Sequence, residues 1–208
     1  MRVVTVFYET PRKHLSTRVE GTSVSPLHFG MAYENFEFRA FDAATLKASR
    51  EAWLSDAVGG LAFFSEVERL FDWAVTHLEI SNVDATAFGV FRVGKKQALG
   101  LCEIVVQRKS ARSKWVKMLR LHLRPSVDAD LQGGNPIGAM NVFGASLKGT
   151  LDLQMAHKAT TLKVYGRTND QLTFLRALVS HTEKNLPDTV KATTKVSIDG
   201  RFLSIEVK

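Results

Sequence analysis

The sequence has little that would place it outside a reducing compartment or in a membrane. Cys102 is the only cysteine among 208 residues, which excludes an intrachain disulfide and suits the cytoplasm. No apolar run approaches the roughly 20 residues that span a bilayer. The N-terminus also lacks the basic start, apolar core and small-residue cleavage site of a secretory signal. We therefore predict a cytoplasmic protein without a membrane segment.

The usual signatures of several enzyme classes are missing as well. The histidines show no metal-ligand spacing, and there is no His-Glu-x-x-His or paired-cysteine motif, so we expect no metal. No Gly-x-Ser-x-Gly, P-loop or dinucleotide fingerprint occurs. Cys102 has no neighbouring base in sequence and is expected to be a small buried apolar residue. Covalent catalysis and nucleotide-dependent chemistry of these common types are thus disfavoured.

Acidic residues are absent between Glu103 and Asp128, although the chain has 21 of them. This segment carries seven cations, which equal the whole net charge of +7. A concentrated basic segment indicates a phosphate or polyanion partner, and the alternative is a solvated hairpin that keeps the protein soluble. The cations at the predicted turn are the candidates to contact nucleic acid or an acidic partner: Arg108, Lys109, Arg112 and Lys114.

What is present is the composition of a globular domain, with 45% hydrophobic and 24% charged residues. We predict an N-terminal strand and arm over 1–32 and one domain over 33–208. Hydrophobic periodicity and turn residues predict strands and helices in a fixed order within the domain. The predicted strands are 36–41, 86–93, 98–107, 114–124, 161–165, 190–198 and 201–207. The predicted helices are 43–57, 61–78 and 137–157, and one that begins at Thr168 or Asn169 and ends near 185.

The strand at 114–124, the helix at 137–157 and the strand at 161–165 form a crossover, which should make the two strands parallel. The other neighbouring strands are expected to be antiparallel. The predicted fold is α/β (α+β), with a mixed, mostly antiparallel sheet and helices on both faces. Strict alternation along 114–124 places Val116, Met118, Arg120 and His122 together on one face. Residues 126–136 are predicted to be a loop.

Two motifs follow one another at the crossover. The strand ends in LHLRP at 121–125, and QGGNPIG at 132–138 precedes the next helix. Together with the element order, these motifs make residues 33–208 resemble the GNAT superfamily of acyl-CoA-dependent N-acyltransferases. The resemblance implies transfer of an acetyl or other acyl group to a primary amine, by direct attack of the amine on the thioester. Acetyl-CoA would be the co-substrate.

The resemblance also implies where coenzyme A binds. A glycine-rich loop and a helix N-terminus offer free N–H groups to the pyrophosphate. The backbone N–H groups near the end of the fourth strand hold the thioester oxygen. The residues implied are Leu123, Arg124, Gly133, Gly134, Asn135, Gly138 and, after the fifth strand, Asn169.

The chain departs from the family pattern at two points. The family loop follows the proline directly, whereas residues 127–131 intervene here, and Phe174 and Leu175 stand where the family has a tyrosine. These departures keep open a non-catalytic GNAT-like binding protein that uses the basic hairpin on nucleic acid or an acidic partner.

Glu103 and His122 are the candidate catalytic bases. Glu103 is the only acid in an apolar strand, where burial would raise its pKa, and the alternative is an ion pair with Arg120 or Lys117 on the next strand. His122 lies beside the expected oxyanion donors and is expected to titrate near neutrality, and the alternative is a satisfied core histidine.

Overall fold

The computed structural model describes residues 35–57, 61–79, 85–106, 114–185 and 188–207. The predicted strand and arm at 1–32 lie outside these ranges. So do Arg108, Lys109 and Arg112 of the predicted basic turn, whereas Lys114 is described and exposed.

The described ranges contain seven strands and six helices. The strands are β1 Phe36–Ala40, β2 Ala85–Arg92, β3 Ala98–Val106, β4 Trp115–Leu123, β5 Thr161–Tyr165, β6 Thr194–Asp199 and β7 Phe202–Val207. The helices are α1 Ala43–Asp56, α2 Leu61–Glu79, α3 Pro125–Gln132, α4 Ile137–Ala156, α5 Asn169–Asn185 and α6 Asp188–Thr193. No helix among these residues is both long and apolar enough to cross a bilayer.

The strands form one mixed sheet in the order β1-β2-β3-β4-β5-β7-β6. β4 and β5 are parallel, and the other neighbours are antiparallel. One apolar cluster joins α1 and α2 to β2 and β3, and another joins α4 and α5 to β3, β4, β5 and β7. Because these helices cover opposite faces of the sheet, the predicted fold class is confirmed.

Two helices were not predicted. Residues 125–132, expected to be part of a loop, form α3, because Pro125 has the backbone angle of a first helical residue and lacks the N–H that would go unpaired there. The first part of the predicted strand 190–198 belongs to α6, and the strand begins only at Thr194. A proline after a strand signals its end but does not distinguish a loop from a helix start.

A capping box of hydrogen bonds between Asp42 and Thr45 fixes the N-terminus of α1. The Asp42 carboxylate accepts a hydrogen bond from the Thr45 N–H at 2.7 Å, while the Thr45 hydroxyl accepts one from the Asp42 N–H at 3.0 Å. This reciprocal cap begins α1 where the sequence predicted it.

α4 crosses β1 so closely that a Cβ on Gly149 would lie 2.2 Å from the Phe38 ring. A glycine is therefore required at this contact.

Candidate functional site

β4 has a bulge in its middle. Its register with β3 passes from Glu103↔Arg120 directly to Ile104↔Met118, so Leu119 is an extra residue in β4. The bulge reverses the alternation of side chains along the strand. Val116 and Met118 lie in the core under α4 and α5, whereas Arg120 lies on the opposite face, beside Glu103. The predicted common face for these residues is therefore wrong.

The second half of β4 is unpaired on its β5 side. The parallel ladder runs from Trp115↔Thr161 to Met118↔Val164 and then stops, although β4 continues to Leu123. β5 ends at Tyr165, so residues 119–123 extend past it and have no strand partner on this side among the described residues. We call this the β4–β5 gap.

The two predicted oxyanion donors, the backbone N–H groups of Leu123 and Arg124, point to opposite edges of β4. The Arg124 N–H donates to the Leu99 carbonyl oxygen of β3 at 2.9 Å and is used within the sheet. Because successive residues of a strand direct their N–H groups to opposite edges, the Leu123 N–H points towards the β4–β5 gap. Of the two groups, Leu123 has the geometry to hold an oxygen atom there.

The Glu103 carboxylate lies 3.4 Å from the Arg120 Nε, and the two residues are register partners on adjacent strands. The ion pair that the sequence left open as an alternative is therefore present. The Glu103 side chain is 17% exposed and that of Arg120 is 57% exposed. Glu103 is thus a sheltered carboxylate one strand away from the gap, about 5 Å in strand spacing.

His122 lies on the same face as Arg120 and is only partly exposed. Its Nε2 is buried and has no hydrogen-bond partner among the described residues. Burial, followed by the positive charges of Arg167 and Arg120, lowers the pKa of His122 to about 4. The prediction that it titrates near neutrality is therefore wrong. The imidazole is neutral at pH 7, with Glu66 of α2 also nearby.

The start of α3 contains a charged contact that the sequence did not suggest. The Arg124 guanidinium donates to both carboxylate oxygens of Asp56, the last residue of α1, at 2.6 and 3.0 Å. These hydrogen bonds hold the pKa of Asp56 below its usual value against the effect of burial, and the hydroxyl and N–H of Ser126 lower it further. A carboxylate thus lies at the N-terminus of the helix that follows β4.

The predicted glycine loop lies at the other end of α3. Gly133 ends this helix, and Gly134 has a φ of +88°, which favours glycine. Asn135 follows, and Gly138 lies in the first turn of α4. Because α3 has 8 residues at about 1.5 Å each, roughly 12 Å of helix separates Gly134 from the end of β4.

Asn169 begins α5, just beyond the end of β5. The Thr168 hydroxyl accepts from the Gln171 N–H at 3.1 Å and caps the helix. The Asn169 Oδ1 accepts from Arg201 at 3.4 Å, and the Nε of Arg201 donates to the Gly166 carbonyl oxygen at 2.8 Å. Asn169 therefore belongs to a contact between the β5–α5 connection and the β6–β7 turn.

A cavity lies on the other face of the sheet, apart from these residues. This cavity of about 250 Å³ lies between β1 and α4, lined by Phe36, Phe38 and the ion-paired Lys148 and Asp152. It lies on the α4 side of the sheet, away from His122. Within the described ranges, no group of three or more His, Cys, Asp or Glu side chains is arranged for a metal ion.

Sequence reasoning missed Asp56, Glu66 and Arg167. Each comes from an element distant in sequence from β4, and nothing in its local pattern marked it. The short spacing between Pro125 and Gly133 could have suggested α3, since it accommodates two helical turns.

Comparison with known proteins gave only structural matches. No protein-family model and no curated protein matches the chain. Among solved structures, AtaTR bound with AcCoA is similar at 15% identity and a TM-score of 0.46, over 82% of this chain and 92% of that one. A GNAT family acetyltransferase from Brucella melitensis in complex with acetyl-CoA is 14% identical, with a TM-score of 0.40, over 82% and 87%. Glucosamine-6-phosphate N-acetyltransferase from Arabidopsis thaliana is 12% identical, with a TM-score of 0.39, over 69% and 90%.

Proposed function

We propose that this chain is an acyl-CoA-dependent N-acyltransferase that transfers an acetyl or other acyl group to a primary amine. The observation that carries this proposal is the β4–β5 gap, towards which the Leu123 N–H points. A thioester in the gap would have its carbonyl oxygen against this N–H. One such donor typically accounts for about 10²–10³-fold in turnover, because it stabilises the charge that develops on oxygen.

The acceptor amine would approach from the face that carries Glu103 and His122. Its nitrogen forms a bond to the thioester carbon, the carbon–sulfur bond breaks, and coenzyme A leaves as the thiolate. We assign the proton released by the amine to Glu103, whose carboxylate is sheltered beside Arg120. The imidazole of His122, which is neutral at pH 7, lies on the same face.

Two places near the gap could hold the pyrophosphate. The N-terminus of α3 adjoins the end of β4 directly, and its first N–H groups lie around Ser126. The loop over Gly133, Gly134, Asn135 and Gly138 stands one helix further away, and Asn169 stands at the end of β5. We assign the pyrophosphate to the N-terminus of α3, with the glycine loop as the second candidate.

The Asp56 carboxylate at that N-terminus favours a second function. Because Asp56 already occupies the N-terminus of α3, a cofactor phosphate would bind there less strongly. Weak cofactor binding is what we expect of a GNAT-like protein that binds a partner without catalysis. In that function the partner is nucleic acid or an acidic protein, contacted through Arg108, Lys109, Arg112 and Lys114.

Thermal unfolding with and without acetyl-CoA tests the proposal first. At 100 times the dissociation constant, a ligand that binds only the folded state stabilises it by about 2.7 kcal/mol. Pantetheine, which lacks the phosphates, is the matched control and should shift the transition less. Release of the free thiol from acetyl-CoA with a panel of amines then tests transfer. Absence of binding contradicts the acyltransferase and supports the second function, whereas binding without release of thiol contradicts transfer to the amines of the panel.

A further inference from the structure

One face of the sheet presents cations among aromatic rings. At the start of β4, before the bulge, and along β5, β7 and β6, the residues that point away from α4 and α5 form three rows across neighbouring strands. Their side chains include three rings and two lysines, and we call this set the cation–ring face: Trp115, Lys117, Lys163, Tyr165 and Phe202. The apolar residues between them in sequence, such as Leu162 and Leu203, point to the core on the other side.

The ammonium groups of both lysines lie within 6 Å of an aromatic ring centre. The Lys117 Nζ lies 4.0 Å from the centre of the Trp115 ring and 5.9 Å from that of Phe202. The Lys163 Nζ lies 5.8 Å from the same Phe202 ring. Tyr165 and Phe202 contact each other with ring centres 5.0 Å apart. Positive charge and aromatic surface are thus interleaved within a few ångströms.

This arrangement has an unfavourable component that a bound anion would relieve. Lys117 and Lys163 are register partners on adjacent parallel strands, and like charges on paired positions destabilise a sheet. Lys163 lies 3.5 Å from the exposed Asp199 carboxylate. Within the described ranges, Lys117 has no carboxylate partner. An anion between the two ammonium groups would be attracted to both.

A buried hydroxyl group beside the two lysines also indicates a binding site. Ser204 of β7 is the register partner of Lys163 and lies on the same face. It is only 2% exposed, and its hydroxyl has no hydrogen-bond partner among the described residues. The row therefore contains two cations and a buried hydroxyl that lacks a partner.

We propose that the cation–ring face binds single-stranded nucleic acid, with phosphates at Lys117 and Lys163 and bases against the rings. Rings and cations together favour this partner over an acidic protein, because a base offers an aromatic face and a phosphate offers the charge. Bases in a duplex are already stacked on one another, so a sheet face with rings selects single strands. This binding does not depend on acyl transfer and differs from contacts through the basic residues Arg108, Lys109 and Arg112, for which a turn was predicted.

The test uses the full chain with a twelve-residue oligothymidylate, the matching duplex and polyglutamate, each at several salt concentrations. We expect the single strand to bind more tightly than either of the others. The double variant Lys117→Ala/Lys163→Ala should reduce the log–log salt slope by about 1.4, at about 0.7 per phosphate contact of a single strand. The control Lys47→Ala/Lys96→Ala removes the same charge from exposed positions on α1 and the β2–β3 turn and should leave the slope unchanged.

The rings are tested separately by Trp115→Leu, which should weaken single-strand binding by about 5- to 100-fold. Circular dichroism and thermal unfolding check that each variant is folded. If the double alanine variant does not fold, Lys117→Gln/Lys163→Gln gives the same test of charge with the side-chain length better preserved. The proposal is overturned if the single strand binds more weakly than about 10⁻⁴ M at physiological salt. It is also overturned if duplex or polyglutamate binds equally well, or if the lysine variant behaves like its control.

Discussion

The Asp56 carboxylate and the Arg124 guanidinium form a two-point ion pair that joins the end of α1 to the start of α3, with distances of 2.6 and 3.0 Å. The pair has two consequences. It positions α3 on the end of β4, and it puts a negative charge where the helix N-terminus would otherwise be free to bind an anion. Under the proposed function, Asp56 and a cofactor phosphate compete for the same N–H groups.

Asp56→Asn should therefore tighten the binding of acetyl-CoA by about 2- to 30-fold, since a charge at a helix N-terminus contributes up to about 2 kcal/mol. It should also lower the free energy of unfolding by about 1–3 kcal/mol, because a charged hydrogen-bond pair is lost. Titration calorimetry and urea unfolding measure the two effects. Asp152→Asn removes an exposed charge on α4 and serves as the control. Unchanged or weaker binding in Asp56→Asn would contradict the assignment of the pyrophosphate to α3.

Gly134 offers a matched test of the second phosphate candidate. Its φ of +88° strains any side chain, but Asn and Asp tolerate this region best, so Gly134→Asn and Gly134→Asp differ mainly in charge. We expect similar acetyl-CoA affinities for the two variants, because the phosphate is assigned to the other end of α3. The corresponding pair at Ser126 should differ, with Ser126→Asp binding at least tenfold more weakly than Ser126→Asn. A large difference at Gly134 and none at Ser126 would move the pyrophosphate to the glycine loop.

Glu103→Gln should lower turnover by about 10²–10⁴-fold, as expected when a general base is removed. The measurement is kcat for thiol release, with acetyl-CoA affinity determined separately. Arg120→Gln removes the partner but leaves the carboxylate, so it should reduce turnover far less. Equal losses in the two variants would show that the ion pair, and not the base, matters. A larger loss in His122→Gln would make His122 the base.

The half-buried His122 predicts a specific loss of stability in acid. In the unfolded chain its pKa is near 6.5, and in the folded chain it is about 4, so the unfolded state binds more protons between these values. The contribution of His122 is thus most favourable above pH 6.5 and is lost as the pH falls towards 4. Urea unfolding at pH values from 7 to 4.5 measures the dependence.

His122→Gln should flatten this dependence, whereas His157→Gln, at an exposed position, should not. The pKa of Asp56 is lowered from its ordinary value of 3.8, so the stability that Asp56 contributes is lost only as the pH falls below about that value. The effect of Asp56 is therefore separable from that of His122, which occurs at higher pH. An identical slope in the wild type and His122→Gln would contradict the lowered pKa of this imidazole.

Much of the fold followed from local pattern. Asp42 as the cap of α1, the strand at Thr161–Tyr165 and the turn at Asp199–Gly200 all depend on neighbours in sequence, and all appear as predicted. The parallel pairing of β4 and β5 also followed, because a strand–helix–strand crossover leaves little choice of direction. The pairing of Glu103 with Arg120 was foreseen as an alternative because both residues were expected on adjacent strands.

The sequence by itself therefore determined the order of elements, the fold class and the apolar faces of most helices, since these depend on residues a few positions apart. The tertiary structure alone decided the features of the site. The bulge at Leu119 places Val116 and Met118 on the opposite face from Arg120, because one extra residue reverses the alternation of side chains along a strand. No local sequence pattern identified the position of this bulge. Burial, the distant Arg167 and the neighbouring Arg120 lower the pKa of His122. Asp56 forms its ion pair with Arg124, which is 68 residues away in sequence. Contacts of this kind depend on how α1, α2 and the β5–α5 connection pack around β4, and local spacing carries no information about that packing.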